Sequence, residues 1–245
     1  MTVLNIMPLK QNTTACCIAV LIMALIGMIV LQWFGNRMSG KIAIYRKAVE
    51  LNTDEEFAYG LKTSVGYVFA YGRILALDPV TVSWAHGSYL QCLRVTEKYT
   101  RHERTVEKTD YDYNGHPITR HETETYYSWD AIHSENVHAN RISFCGVPFS
   151  YSAIQMPSPL YYRMESGGPS IRYQEYILPM KLEGTLFAEL SDGTIPTGSS
   201  FQVGVHPDAA KEAKIHGEKQ RLLAFLGIWI VTTIVLARCA LFGGM

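Results

Sequence analysis

The sequence predicts a membrane protein in which two transmembrane α-helices flank one β-rich, mainly antiparallel domain with a long projecting hairpin. Three observations carry that expectation: an uncharged apolar run at residues 15–34, a second apolar run at 222–242, and a polar stretch between them with strand-like patterning. The 245 residues carry 22 Lys and Arg against 22 Asp and Glu, a formal net charge of zero. That balance speaks against a nucleic-acid partner, whose binding draws on an excess of basic charge meeting phosphate.

A short tail, residues 1–14, precedes the first run, ACCIAVLIMALIGMIVLQWF. The run has the length of about 20 apolar residues that a helix needs to cross a hydrocarbon core, and Trp33 closes it where an aromatic ring favours an interface. A cleaved signal peptide is the rival reading. Lys10 is a thin basic region for one, and Asn36-Arg37-Met38 lacks the small-x-small cleavage pattern. Cys16 and Cys17 precede most of the apolar stretch, whereas a lipoprotein cysteine would follow it; they read as buried thiols or palmitoylation sites.

Residues 35–62 follow as a juxtamembrane helix and linker. Within them Ile42, Tyr45, Ala48 and Val49 recur at helical spacing among basic residues, and Asn52-Thr53-Asp54 carries turn chemistry that ends the helix. A solvated spacer is the alternative. At the other end, residues 206–221 read as a polar helix leading into the second run, whose one charge, Arg238, can snorkel to headgroups. Two spans put both termini on one side. Arg37, Lys41, Arg46, Lys47, Lys211, Lys214, Lys219 and Arg221 flank the inner ends of the runs, which by the positive-inside rule points the domain to the cytoplasm. That rule weakens for loops beyond about 60 residues.

Residues 63–205 form the β-rich domain. The stretch 65–77 is rich in β-branched and aromatic residues and stops at Asp78-Pro79, with Gly66 and Gly72 marking bulges or close strand approach. Residues 88–109 and 118–129 flank Asn114-Gly115, the strongest short-range hairpin signal. Shorter runs at 137–144, 171–178 and 182–190 follow. In the last, Leu182, Gly184, Leu186, Ala188 and Leu190 alternate with polar or larger residues, as a half-buried strand requires.

The hairpin arm, residues 100–125, has no apolar face on either strand, so it should project into water. Its exposed edges can pair with another chain. Arg101, Glu103, Arg104, Asn114, His116, Arg120 and Glu122 are the candidate partner-binding residues. A two-residue Asn-Gly turn would set Glu107 against Glu122, an unfavourable pair.

Catalytic and metal motifs stay at background. His102, His116, His121, His133 and His138 stand in no ligand spacing, so no metal or cofactor is expected. Glu103, Glu107, Glu122 and Glu124 sit in a solvated segment, where carboxylates keep ordinary acidity. Gly167-Gly168-Pro169 lacks the context of a phosphate cradle. Cys92 and Cys145 permit one disulfide without implying it.

The string YVFAYGRILALDP, then GSYLQCLRVTEKYTRHERTVEKT, ETETYYSWD and LEGTLFAEL, resembles a family of uncharacterised two-span membrane proteins of Gram-positive bacteria and their phages and mobile elements. More remotely, the layout is similar to the intermembrane domain of GIDE-type ubiquitin ligases and the lumenal domain of LUMA-type membrane proteins. The resemblance implies a bacterial plasma-membrane location with the domain extracytoplasmic. Ligase activity does not carry over, because no RING is present. The expectation is therefore a non-enzymatic, membrane-anchored interaction or assembly protein. Its partners would be membrane lipid, other membrane or envelope proteins and copies of itself. A membrane-bound hydrolase or transferase with a dispersed site is the alternative, as is a mobile-element factor that blocks or remodels a host membrane machine.

Overall fold

The computed structural model describes residues 9–242, with side chains from Leu21 to Val235 (Met23 excepted) and at Arg238. In chain order it runs α1 (Leu9–Lys47), β1 (Val49–Leu51), α2 (Asp54–Thr63), β2 (Gly66–Ala76), β3 (Val80–Val82), β4 (Ala85–Tyr111), β5 (Pro117–His138) and β6 (Arg141–Phe144). There follow β7 (Val147–Ser150), β8 (Ile154–Gln155), β9 (Leu160–Gly168), β10 (Ile171–Pro179), β11 (Lys181–Leu190), β12 (Ser199–Val203) and α3 (Pro207–Phe242).

The strands form two sheets. In the first, seven-stranded sheet the order is β7-β6-β2-β11-β12-β8, with β1 added in parallel on β2. Its spine is the antiparallel pair of β2 and β11, in register from Lys181↔Leu75 to Leu190↔Gly66 without a bulge. Alternation explains why this pair holds. Val68, Ala70, Ile74, Leu182, Leu186, Ala188 and Leu190 all enter one buried cluster. Phe69 points the other way, into a smaller cluster with Ala48 and Ala210, against which Tyr45 and Phe187 pack. Gly72 marks a close approach rather than a bulge: a Cβ there would collide with the Cys145 sulfur and meet the Phe144 ring at 3.1 Å.

Helix α2 supplies the centre of the core. The Asn52-Thr53-Asp54 chemistry starts this helix, where the sequence suggested only the end of another. Thr53 Oγ1 accepts the Glu56 N–H at 3.2 Å, and Glu56 Oε2 accepts the Asn52 and Thr53 N–H groups at 2.7 and 3.3 Å. The result is a capping box, which satisfies donors that the first turn otherwise leaves unpaired. Phe57, fully buried, then meets Phe144 and Phe149 edge-on at 5.0 and 6.3 Å.

The second, five-stranded sheet runs β3-β4-β10-β9, with β5 paired to β4. It contributes Leu90 and Leu178 to the main cluster. Past Lys98, the last residue of β4 that pairs with β10, β5 alone accompanies β4 among the described residues. The arm is the continuation of these two strands beyond their sheet.

The two apolar runs of the sequence lie within α1 and α3, which pack together: Phe34 stacks on Phe225 at 4.6 Å, and a Cβ at Gly27 would collide with the Trp229 indole. Among the described residues, no helix is long and apolar enough to cross a membrane. That finding corrects the two-span architecture, the integral-membrane localisation and the sidedness inferred from it. Both helices run on from their apolar runs into charged stretches, Arg37 to Lys47 in α1 and Asp208 to Arg221 in α3. The side chains of residues 15–20, 236, 237 and 239–242, with Cys16, Cys17 and Cys239 among them, and most of the tail 1–14, lie outside the described residues. The juxtamembrane segments are not separate elements either, since 35–47 continues α1 and 207–221 opens α3. The polar first half of α3 docks on the domain instead, through Lys211 Nζ to Glu50 Oε1 at 2.6 Å and Lys214 Nζ to Ser200 Oγ at 2.8 Å.

Cys92 and Cys145 do not form the disulfide that their number permits; both are free and buried.

Candidate functional site

The arm begins with its turn. Gly115 N–H donates to the Asp112 carbonyl and Asp112 N–H to the His116 carbonyl, both at 2.9 Å, with Gly115 at φ +81°. This is a three-residue loop closed by a left-handed glycine, not the two-residue turn that Asn-Gly suggests. Asp112 organises it. Its Oδ1 accepts the His116 and Asn114 N–H groups, each at 2.8 Å, which holds its pKa below the ordinary aspartate range.

The longer loop shifts the register by one residue. Glu107 faces His121, and Val106 faces Glu122, so the repulsive Glu107–Glu122 pair never arises. One face now carries a ladder of ion pairs. Arg104 Nε and Nη2 reach Glu124 Oε2 at 3.1 and 2.9 Å, Lys108 Nζ reaches Glu122 at 2.5 Å, and Arg120 Nε reaches Asp110 at 3.4 Å. The Lys108–Glu122 bond raises the pKa of the lysine and lowers that of the glutamate. The opposite face differs. It presents the cross-strand pairs Thr105↔Thr123 and Thr109↔Thr119, with Thr125 opposite Glu103. Its ion pairs are Arg101–Glu103 at 2.7 Å and His121–Glu107 at 3.8 Å.

A lock of polar and aromatic groups fixes the base. Asp130 Oδ1 accepts from Ser128 Oγ at 2.8 Å, and its Oδ2 meets His102 Nε2 at 2.5 Å and the Thr100 hydroxyl. The Ser128 bond, followed by His102, holds the Asp130 carboxyl below its usual pKa. His102 stacks on Tyr126 at 5.1 Å, while Tyr99 stacks on Tyr127 at 5.4 Å and lies 5.2 Å from Trp129. Hydroxyl, imidazole and carboxylate together invite comparison with a nucleophilic triad. A triad splits nucleophile and orienting acid between the two ring nitrogens. Here Thr100 and Asp130 both meet Nε2, so the group clamps two strands without the geometry of a triad.

The seven sequence-nominated residues all lie on the arm or its tip. Arg101, Glu103, Arg104, Arg120 and Glu122 each form an ion pair with a neighbour on the arm, while Asn114 and His116 serve the turn. Sequence reasoning missed the pairing with Lys108, Asp110 and Glu124, because each pair depends on the register. No family model matches the chain, and neither the curated proteins nor the solved structures contain a match.

Elsewhere a polar cleft of about 360 Å³ is lined by Asn52, Thr53, Asp54, Arg73, Cys145 and Glu183, among others. Burial and the neighbouring Asp54 push the Cys145 thiol up, which leaves little thiolate for chemistry. On the second sheet, fully buried Glu175 holds Arg94 and Arg163, with Nε–O distances of 3.1 and 2.6 Å. Arg94 also lies 3.9 Å over the Tyr173 ring. Removing one partner of such a buried ion group leaves an uncompensated charge, so its reading is structural. Among the described residues, no group of three or more His, Cys, Asp or Glu side chains is placed to hold a metal.

Proposed function

We propose that the chain is a protein-interaction or assembly protein whose contact element is the hairpin arm. The observation that carries this reading is the departure of β4 and β5 from their sheet: past Lys98 the ribbon buries nothing in the core, yet a dedicated turn, an ion ladder and a base lock hold it in one conformation. A solvated loop would serve a passive connection without those devices. A rigid ribbon with two unpaired strand edges is a template for an extended segment of another protein, with main-chain hydrogen bonds supplying affinity.

The register specifies the test. Residues 104–124 are replaced by Asn-Gly, which joins Glu103 to its opposing residue Thr125 and spares the lock at Thr100, His102, Ser128 and Asp130. The shortened chain should keep its thermal midpoint within a few degrees and lose the partner chains that the full-length protein captures on cross-linking in cells. Retention of every partner by the folded, shortened chain excludes the arm as the contact element. Failure to fold makes the arm structural instead.

A further inference from the structure

The second sheet ends on two very different outer strands. β5 is lined with charge, which restricts its pairing to a partner of matching charge. β9 has β10 as its only described partner, and all nine of its residues are exposed. Leu160, Tyr161 and Met164 are 64%, 61% and 56% exposed. An apolar, unpaired edge of this kind invites another strand.

The order of residues on β9 indicates which strand. Bulges interrupt its pairing with β10 at either end, leaving Arg163 to Ser166 as the regular stretch, opposite Glu175 to Arg172. Within it, Arg163-Met164-Glu165 is self-complementary. An antiparallel copy related by a two-fold axis at Met164 sets Arg163 opposite Glu165 of the second copy, and Glu165 opposite its Arg163. Moving the axis to Arg163 or Glu165 sets like charges face to face, which is destabilising across a strand pair. Axes between residues pair neither charge with its opposite. Both side chains keep 44% and 49% of their surface exposed while Arg163 is held by Glu175 and the Trp84 carbonyl and Glu165 by Arg94, so they present fixed charges of opposite sign to the opposing copy.

We propose that β9 is a homodimerisation edge: two copies pair antiparallel about Met164 and join their five-stranded sheets into one continuous sheet. A two-fold contact of this type is self-complementary by construction and closes on itself, so no fibre results. The Leu160 side chain would then lie beside Gly168 of the opposing strand, where a side chain meets open space, and Tyr161 beside Gly167, which the Tyr173 ring covers. This interface is separate from the arm, and its test reads association of identical chains rather than capture of a partner.

Site-directed oxidation of the full chain tests both the contact and its register. Met164→Cys places two thiols at the axis, where facing Cα atoms lie about 4.5–5.5 Å apart, within disulfide range. Ser166→Cys places them four residues apart along the strands, roughly 13 Å, out of range. With mild oxidant, Met164→Cys should give a covalent dimer well above the background of the unsubstituted chain, and Ser166→Cys should not. Met164→Lys and Met164→Glu should each shift the chain to monomer, and their equimolar mixture should restore the dimer. Cross-linking of Ser166→Cys as strongly as Met164→Cys, no dimer from either, or a mixture that stays monomeric overturns the proposal. Met164 is exposed, so an unchanged thermal midpoint separates loss of the contact from loss of fold.

Discussion

The β2–β11 pair and the distal β4–β5 ribbon have the same secondary structure and the same antiparallel pairing, and opposite sources of stability. In the first, alternate residues from both strands disappear into the core, Val68, Ile74 and Leu186 completely. In the second, no face is buried. Order comes from a turn that fixes register, from charge pairs that register brings into reach, and from a clamp at the base. Burial of an apolar side chain is worth about 1.5–3 kcal/mol, whereas an exposed ion pair is worth about 0–1 kcal/mol. The ribbon can therefore loosen or be removed at small cost, while the spine cannot. A contact element benefits from that separation, since its surface can change without endangering the fold.

Three measurements break or sharpen this contrast. The largest effect belongs to the core. Phe57→Ala removes a fully buried ring beneath Phe144 and Phe149 and should cost about 3–5 kcal/mol, read as a large drop in thermal midpoint with arm and core melting together. A drop no greater than that from a surface substitution would remove the distinction. Next comes the turn. Gly115 sits at φ +81° with open space around it, so Gly115→Ala meets no clash and only the backbone penalty of about 1–2 kcal/mol. Amide exchange along residues 104–124 should accelerate several-fold while the thermal midpoint stays put. Equal acceleration in β2 and β11 would show that the two regions are one cooperative unit.

The smallest effect is electrostatic and has a definite sign. Asp112, Glu122 and Asp130 all have their pKa values lowered, by the turn amides, by Lys108 and by Ser128 respectively. A lowered folded-state pKa gives stability that is fully present above the ordinary carboxylate range and lost as pH falls through the lowered value. Between pH 6 and pH 3, arm amides should therefore lose protection relative to those of β2 and β11, once the intrinsic pH dependence of exchange is removed. Lys108, raised by Glu122, works from the other side: its contribution holds below its usual pKa and fades as pH rises past the raised one. Unchanged arm protection at pH 3 would mean that the turn and backbone pairing alone hold the ribbon.

Much of the β domain was legible in the chain. The alternation of Leu182 to Leu190 maps onto buried positions of β11, the stretch 65–77 became β2, and Asn114-Gly115 lies in the hairpin loop. Helix α2 was missed because Asp54-Glu55-Glu56 looks like a polar linker until Thr53 and Glu56 are seen to cap each other. Strand β9 was missed because it has no burial alternation to read. The two apolar runs show the opposite failure. Local hydropathy suggested membrane spans, whereas among the described residues no helix meets the length and apolarity that crossing requires.

The sequence by itself determined where several strands run, β2, β11 and the hairpin pair among them, and that one stretch of hairpin would lack a buried face. Those properties are local: they depend on the spacing and type of neighbouring residues. Only the tertiary structure decided the register of the arm, the closed ladder of Arg104–Glu124, Lys108–Glu122 and Arg120–Asp110, and the exposure of the β9 edge. Register depends on whether the loop holds two residues or three, a difference of one residue that exchanges which side chains face each other. An edge is exposed only when no other strand lies beside it, and that is a property of the whole sheet rather than of any segment within it.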